Sequence, residues 1–509
     1  MSRPGRPAAL ALALTLLLTA CGGGGEEETA APTATPAPTP AQQVGLQTFS
    51  LPYSPSGGLH PITGTNRVNL TLAPLLYEGL FAVDRSFEPQ KVLCESYSVS
   101  EDGLTWTFRL RAATFSDGAP LTGAEAASSL ELARKSTLYG TRLKDVARVK
   151  AGEGEVTVTL SRPNGALPSL LDIPVVKETG GDRPLGTGRY AWAEEEGDLW
   201  LEARETVPAG LERIELWPVG TGEDLVYAFD ANEISLVATD LTGTNALGWS
   251  GRYETTDYPT TILLYVGLNL TSGACTEETV RRAISAALDR QTVAGRLLAG
   301  HAVAAALPIH PDSALYDTDL AQPPAEERKS ARELLSEGGW TWDEEGRLRK
   351  GRSGLALRLA VNQDNTYKVA VVEELAEELT ALGCVVTVDK LPWDDFVSAL
   401  EKGKFDLYLG ETTLTADFDL EALLAPGGSL NYGGCADGPL TVLMDAFRTS
   451  GEGERKGAAS ALCARVRDTV PIVPLCFKNG SLLTQWGQVR GAEPTQRDVF
   501  AGLENWDVE

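Results

Sequence analysis

Between Leu355 and Gly410 the chain alternates strand and helix signals, and no other stretch limits the possible folds so strongly. Leu355 to Val361 is almost wholly apolar and predicts a strand. Thr366 to Leu382 carries Val369, Val372, Leu375, Leu379 and Leu382 at helical spacing, so it predicts a helix with one buried face. Gly383 follows as a left-handed stop. Cys384 to Val388 predicts the next strand, Trp393 to Lys402 a second helix ended by Gly403, and Phe405 to Leu409 a third strand. That order implies a parallel sheet with right-handed crossovers. Open sheets of this kind take ligands beyond the carboxyl ends of their strands. The segment after Leu409 is therefore the first place to look for a site.

The rest of the body reads as mixed α/β. Thr105 to Leu110 and Glu155 to Leu160 alternate as strands, the first with Trp106, Phe108 and Leu110 on one face. Thr122 to Glu125 has the form of a capping box opening a helix that runs to about Lys135. Ile262 to Leu268 is nearly all apolar, as in a strand covered on both faces. Thr276 is placed to cap a helix whose stripe is Val280, Ala283, Ile284, Ala287 and Leu288. Asp102-Gly103 and Ser116-Asp117-Gly118 are tight turns that make the fold.

The first residues read as an export signal. Arg3 and Arg6 precede an Ala/Leu run from Ala8 to Leu18, too short for a permanent membrane span. Leu18-Thr19-Ala20-Cys21 resembles the lipobox of bacterial lipoproteins, which implies cleavage after residue 20 and a lipid on Cys21. Residues 21–43, rich in Gly, Glu, Thr, Ala and Pro, have no periodic apolar face and read as a tether. Cys94, Cys275, Cys384, Cys435, Cys463 and Cys476 remain beyond it, in a compartment that permits disulfides but whose pairing spacing does not reveal. A net charge of −26 argues against nucleic acid and anionic lipid headgroups as partners.

Catalysis is hard to assemble. The chain has 3 histidines, His60, His301 and His310. The zinc-protease H-E-x-x-H, the G-x-S-x-G elbow and the phosphate-binding G-x-x-x-x-G-K-[ST] loop do not occur. His301 and His310 do not share a helix face, so no metal and no cofactor is expected.

Four stretches resemble the family 5 solute-binding proteins of ABC transporters, the dipeptide, oligopeptide and nickel group. Leu59-His60-Pro61 with Leu75 to Leu80 is similar to the family's "L-D-P … Y-E-G-L". Val99 to Arg111, continuing through Phe115 to Thr122, resembles its best-known signature. Val280 to Ile284 with Leu288-Asp289-Arg290, and Ala331 to Leu335 with Gly339-Trp340, resemble two further segments in the same order. The resemblance implies a two-lobed type II (cluster C) periplasmic-binding-protein fold with an extra subdomain in the first lobe. Lobe I would comprise residues 44–83, 184–262 and 480–509, its inserted subdomain 84–183, and lobe II 263–479. Such a protein, anchored to the membrane by its lipid, closes by a hinge on a short peptide and, as a monomer, delivers it to an ABC permease.

In peptide-binding members an aspartate in an "A-D-Y" segment holds the ligand's ammonium group. Thr415-Ala416-Asp417-Phe418-Asp419 resembles it, making Asp417 the candidate anchor, with Asp419 as its substitute. A partly desolvated carboxylate suits an ammonium through charge-assisted hydrogen bonds. Residues 412–415, including Thr413 and Thr415, are extended and could pair with a peptide as an added strand. Trp393 matches a ligand-packing tryptophan, and Tyr53 the first ligand-contacting region. Asn431 and Tyr432 lie in a Gly-rich loop near the site. The family's usual tryptophan is here Leu414, and the proline after the acid pair is missing, which leaves other cargo open: a metal chelate, a sugar or a small cation. A binding-only sensor and a secreted hydrolase are the remaining alternatives.

Overall fold

Two long strands, Tyr253–Leu268 and Ile472–Gln485, pair antiparallel and tie the fold together. The computed structural model describes residues 48–324 and 328–509. The leader, Cys21 and the tether expected over residues 1–43 lie outside the described residues, as do residues 44–47. Register along the long pair shifts between Pro259 and Ile262. Proline has no N–H for the ladder, so a bulge is the natural accommodation. Thr260 and Thr261 fill it with side-chain bonds: Thr260 Oγ1 donates to Lys478 O at 2.6 Å, and Thr261 Oγ1 to Leu414 O at 2.6 Å.

On one side of the bulge lies a four-stranded sheet of Ser50–Tyr53, Arg213–Pro218, Asp198–Ala203 and Tyr190–Glu195, in that spatial order. A second, antiparallel four-stranded sheet of Cys94–Val99, Thr105–Leu110, Glu155–Leu160 and Val146–Gly152 packs under the helix Gly123–Ala133. This helix opens with the expected capping box from Thr122 and Glu125. One apolar core joins both sheets and includes Phe49, Phe108, Leu201, Leu482 and Trp506.

On the other side the long strands enter a seven-stranded mixed sheet. Ala356–Asn362 runs parallel to Val385–Leu391 and to Leu407–Thr413, as the alternation of strand and helix requires. Leu407–Thr413 is in turn antiparallel to Tyr253–Leu268. The helix Thr366–Leu382 ends at Gly383 with φ 107°. Its buried stripe uses Val371 with Val372, Leu375, Leu379 and Leu382, while the expected Val369 is only partly covered. The sheet is apolar on both faces, with Leu264 and Leu359 in one core and Leu263 and Tyr408 in the other.

Close packing explains three glycines. Tyr265 pairs with Gly410 across the ladder, and Gly267 with Tyr408. A Cβ on Gly267 would lie 2.1 Å from the Tyr408 ring, and one on Gly410 2.5 Å from that of Tyr265. Gly480 sits under Tyr258 in the same way.

Two expectations change. The strand expected over Ile262 to Leu268 begins earlier, at Tyr253. Thr276 does not cap the following helix: Glu278–Ala287 begins after Glu277, and Thr276 Oγ1 donates to Gly273 O within a preceding short turn. All six described cysteines are buried and unpaired, and burial pushes the Cys275 and Cys384 thiols up to about 12. No helix among the described residues is long and apolar enough to cross a membrane.

Candidate functional site

The strand that begins at Leu407 continues to Thr413, past the expected end at Leu409, because its last residues pair with the long strand. Ile262 lies opposite Thr413, and Leu414 N donates to Thr261 O at 3.0 Å. Leu414 and Phe418 then anchor the loop in the core. Phe418 adopts φ 56°, a left-handed conformation uncommon for a bulky residue. Its ring holds there against Phe87 at 5.4 Å and Phe477 at 6.3 Å.

Asp417, one residue earlier, is 6% exposed. Its Oδ2 accepts from Asn164 Nδ2 at 3.2 Å, and its Oδ1 from the Thr415 hydroxyl. Arg455 Nη2 donates to the Asp417 carbonyl at 2.8 Å. A carboxylate offers about four acceptor positions, so Asp417 keeps capacity for further donors.

Asn164 follows the strand Glu155–Leu160, more than two hundred residues from Asp417 in sequence, and its neighbours carry the same contact. Lys144 Nζ reaches Asp419 at 2.8 Å and Glu421 at 3.2 Å. Arg162 bonds Glu421 and Asp145, each at 2.8 Å. Gly165 N donates to Arg448 O at 2.8 Å. The Arg162 guanidinium, with Lys144 beside it, holds the Glu421 carboxyl well below the ordinary range, at about 2.

Between these two segments lies a cavity of about 120 Å³, lined by Arg142, Asn164, Thr413, Thr415 and Asp417 among others. A larger one of about 450 Å³ adjoins it, lined by Tyr77, Glu78, Tyr139, Asp172, Arg497 and Asp498 among others. Burial raises the Asp498 carboxyl to about 6. The Arg142–Asp172 ion pair, 2.5 Å long, stands between the two spaces.

Asp417, Thr413 and Thr415 are thus brought to one cavity wall. Asp419 lines the same cavity, whereas Trp393, Tyr53, Asn431 and Tyr432 lie outside both. Trp393 is 56% exposed at the start of its helix, its ring 6.1 Å from Phe396. Tyr53 sits in the strand Ser50–Tyr53 and packs on the first core. Asn431 braces its own loop, donating to Ala425 O at 2.9 Å and Cys435 O at 2.8 Å. Tyr432 packs edge-on to Tyr408. Asp419 is engaged by Lys144 and caps Glu421 N at 2.8 Å.

Sequence reasoning missed Asn164, Arg142 and Asp172. Arg142 stands in a polar stretch after a helix, where nothing local separates a buried arginine from a solvated one. The histidines are dispersed: His60 pairs with Glu178, His301 with Asp257, and His310 lies buried between Phe87 and Phe477. Among the described residues no group of three or more His, Cys, Asp or Glu could hold a metal ion.

The profile of bacterial extracellular solute-binding proteins, family 5 (middle region), matches residues 88–431, and the chain belongs to that family. The glutathione-binding protein GsiB of Salmonella choleraesuis is 26% identical over 309 residues, which is 55% of this chain and 59% of that protein. The oligopeptide-binding protein AppA of Bacillus subtilis is 24% identical over 377 residues, 67% of this chain and 68% of that one. In three dimensions the chain resembles a nickel ABC transporter protein from Bacillus halodurans, with TM-score 0.72 at 18% identity over 89% of this chain and 98% of that chain. It also resembles Bacillus subtilis AppA in complex with a nonapeptide, with TM-score 0.59 at 18% identity over 91% and 100%. The architecture is the two-lobed type II, cluster C periplasmic-binding-protein fold. Membership places the chain among extracellular solute-binding proteins, and it spans about three fifths of the length of the glutathione-binding relatives it matches.

Proposed function

We propose that this chain is the lipid-anchored receptor of an ABC importer and captures a short peptide between hinged lobes. One observation carries the reading: residues 141–170 and 412–448, far apart in sequence, jointly line a cavity whose wall includes the buried Asp417 carboxylate. Asp417 takes the ligand's ammonium group. The strand end at Thr413 and the residue Thr415 offer backbone groups to an extended ligand.

The hinge lies at the bulge of Thr260 and Thr261. Lobe I then comprises residues 44–83, 184–262 and 480–509, with 84–183 as its inserted subdomain and 263–479 as lobe II. A bulge is where a ladder bends with least loss of pairing. Closure of this kind is the hinge motion that periplasmic binding proteins use to enclose a ligand. Lipid on Cys21 and the tether of residues 21–43 would hold the body near the permease.

The test is isothermal titration of the full chain with free-amine and N-acetylated peptides of one sequence. Asp417→Asn should weaken free-amine peptides about tenfold or more and leave the acetylated ones nearly unchanged, since one charge-assisted bond is at stake. Equal loss for both removes Asp417 from the ammonium role. Mass spectrometry of solute released from the purified protein identifies the cargo, and a metal chelate there would replace the peptide.

A further inference from the structure

The strand Glu155–Leu160 and the short helical turn Leu167–Leu170 are joined by a loop, residues 161–166. Four consecutive residues of that loop bond the opposite wall of the cleft. Arg162 grips Glu421 with two parallel bonds, Nη1 to Oε1 and Nη2 to Oε2, each 2.8 Å. Pro163 O accepts from the Arg448 guanidinium. Asn164 Nδ2 donates to Asp417 Oδ2 at 3.2 Å, and Gly165 N to Arg448 O at 2.8 Å. All of these bonds join protein groups, so they draw the two walls together without help from a solute. Gly165 shows how close the approach is: a Cβ there would lie 2.8 Å from the Ser450 carbonyl carbon and closer still to its oxygen. Gly165 is not among the glycines with positive φ, so its lack of a side chain serves this contact and not a turn.

Asn164 meets the carboxylate that the peptide reading assigns to the ligand. It is 7% exposed, and its Oδ1 accepts from Ala166 N at 2.8 Å, which turns the amide nitrogen toward Asp417. Asp417 has acceptor positions to spare, yet at 6% exposure little of it is open, and this loop is part of its cover. The bond between the two side chains is long. An ammonium makes charge-assisted bonds of about 2.7–2.9 Å to a carboxylate, roughly twice as strong as those between neutral groups. The amide at 3.2 Å holds Asp417 less firmly. It is strong enough to keep the loop down and weak enough to yield.

We propose that residues 161–166 form a strap that shuts over Asp417 by its own contacts, and that Asn164 occupies the ammonium position until a ligand exchanges with it. This rests on the peptide reading above and adds a step to it. A solute reaches Asp417 only when the strap lifts, so the fraction of molecules with the strap raised scales the apparent affinity. Leu414 and Phe418 anchor the Asp417 loop in the core, so the strap is the side that moves. Arg162 and Gly165 are positioning residues: they seat the strap without bonding Asp417.

The experiment uses the full chain, freed of solute by unfolding and refolding, with its N164A and G165A variants, circular dichroism confirming that each is folded. Without peptide, hydrogen exchange over residues 141–167 should be about three- to tenfold faster in both variants, the worth of roughly one lost hydrogen bond. Ala166 is left out, because Asn164 accepts from its N–H. The helix Thr366–Leu382 should keep its rate. Stopped-flow mixing with trialanine should show faster association, by about the same factor, in both variants. They part in dissociation: N164A keeps the rate of the unmodified protein, because Arg162 still seats the strap over bound peptide, whereas G165A releases peptide faster. If Asn164 only orients Asp417, N164A weakens binding with no gain in association rate, and that result overturns the proposal. So does exchange that is equal in all three proteins, or that quickens evenly over the whole chain. If trialanine binds none of the three, the peptide reading falls by itself and exchange decides the strap. Quickening confined to residues 141–167 and 417–450 in both variants supports it, and unchanged exchange overturns it.

Discussion

Glu421→Gln tests the contact that joins the two walls of the cleft. Glu421 is 19% exposed and meets three cations: Arg162 at 2.8 Å, Lys144 at 3.2 Å and Arg448 at 3.4 Å. Its carboxyl is held at about 2, chiefly by the hydrogen bonds from Arg162. At about 1.4 kcal/mol for each tenfold in proton affinity, that corresponds to roughly 3 kcal/mol before screening. Arg162 and Lys144 are 40% and 43% exposed, and water screens them. About 1–2 kcal/mol is therefore expected from the carboxylate. The sign follows from the direction of the shift. A carboxyl with a lowered folded value stabilises fully above the ordinary glutamate range and loses that contribution as pH falls toward 2. Urea unfolding at pH 7 should thus place E421Q about 1–2 kcal/mol below the unmodified protein, and at pH 2.5 the gap should largely close. Hydrogen exchange should quicken in residues 141–167 at pH 7. A gap that is absent at pH 7, or equally wide at pH 2.5, would refute the reasoning.

Further outcomes follow from the same packing. Burial lowers the His310 imidazole to about 4, so the unfolded chain binds its proton first and stability falls as pH drops from about 6.5 toward 4. H310F, between Phe87 and Phe477, should flatten that part of the pH–stability curve; an unchanged slope would place the effect elsewhere. Gly410→Ala puts a methyl 2.5 Å from the Tyr265 ring and should cost about 1–3 kcal/mol in urea unfolding, as overpacking does. A neutral result would mean that the tyrosine swings aside freely.

Much of the fold was legible in the sequence. Thr122 and Glu125 are three residues apart, so their capping box needs nothing distant. The helix Thr366–Leu382 declares its face and its glycine stop within its own length, and the turns at Gly103 and Gly118 take φ 70° and 81°. Local hydrogen bonds and side-chain periodicity determine such features, and both are written within a few residues. The candidate anchor Asp417 was reached by resemblance, and its neighbours Thr413 and Thr415 came with it. Tertiary structure alone decided that Asn164 faces Asp417, that Arg142 is buried against Asp172, and that the six described cysteines stay unpaired. Arginine 142 has the same neighbours in sequence whether it meets water or a carboxylate thirty residues on. Its charge acquires a role only when chain folding removes the water around it, and no local pattern records where that happens.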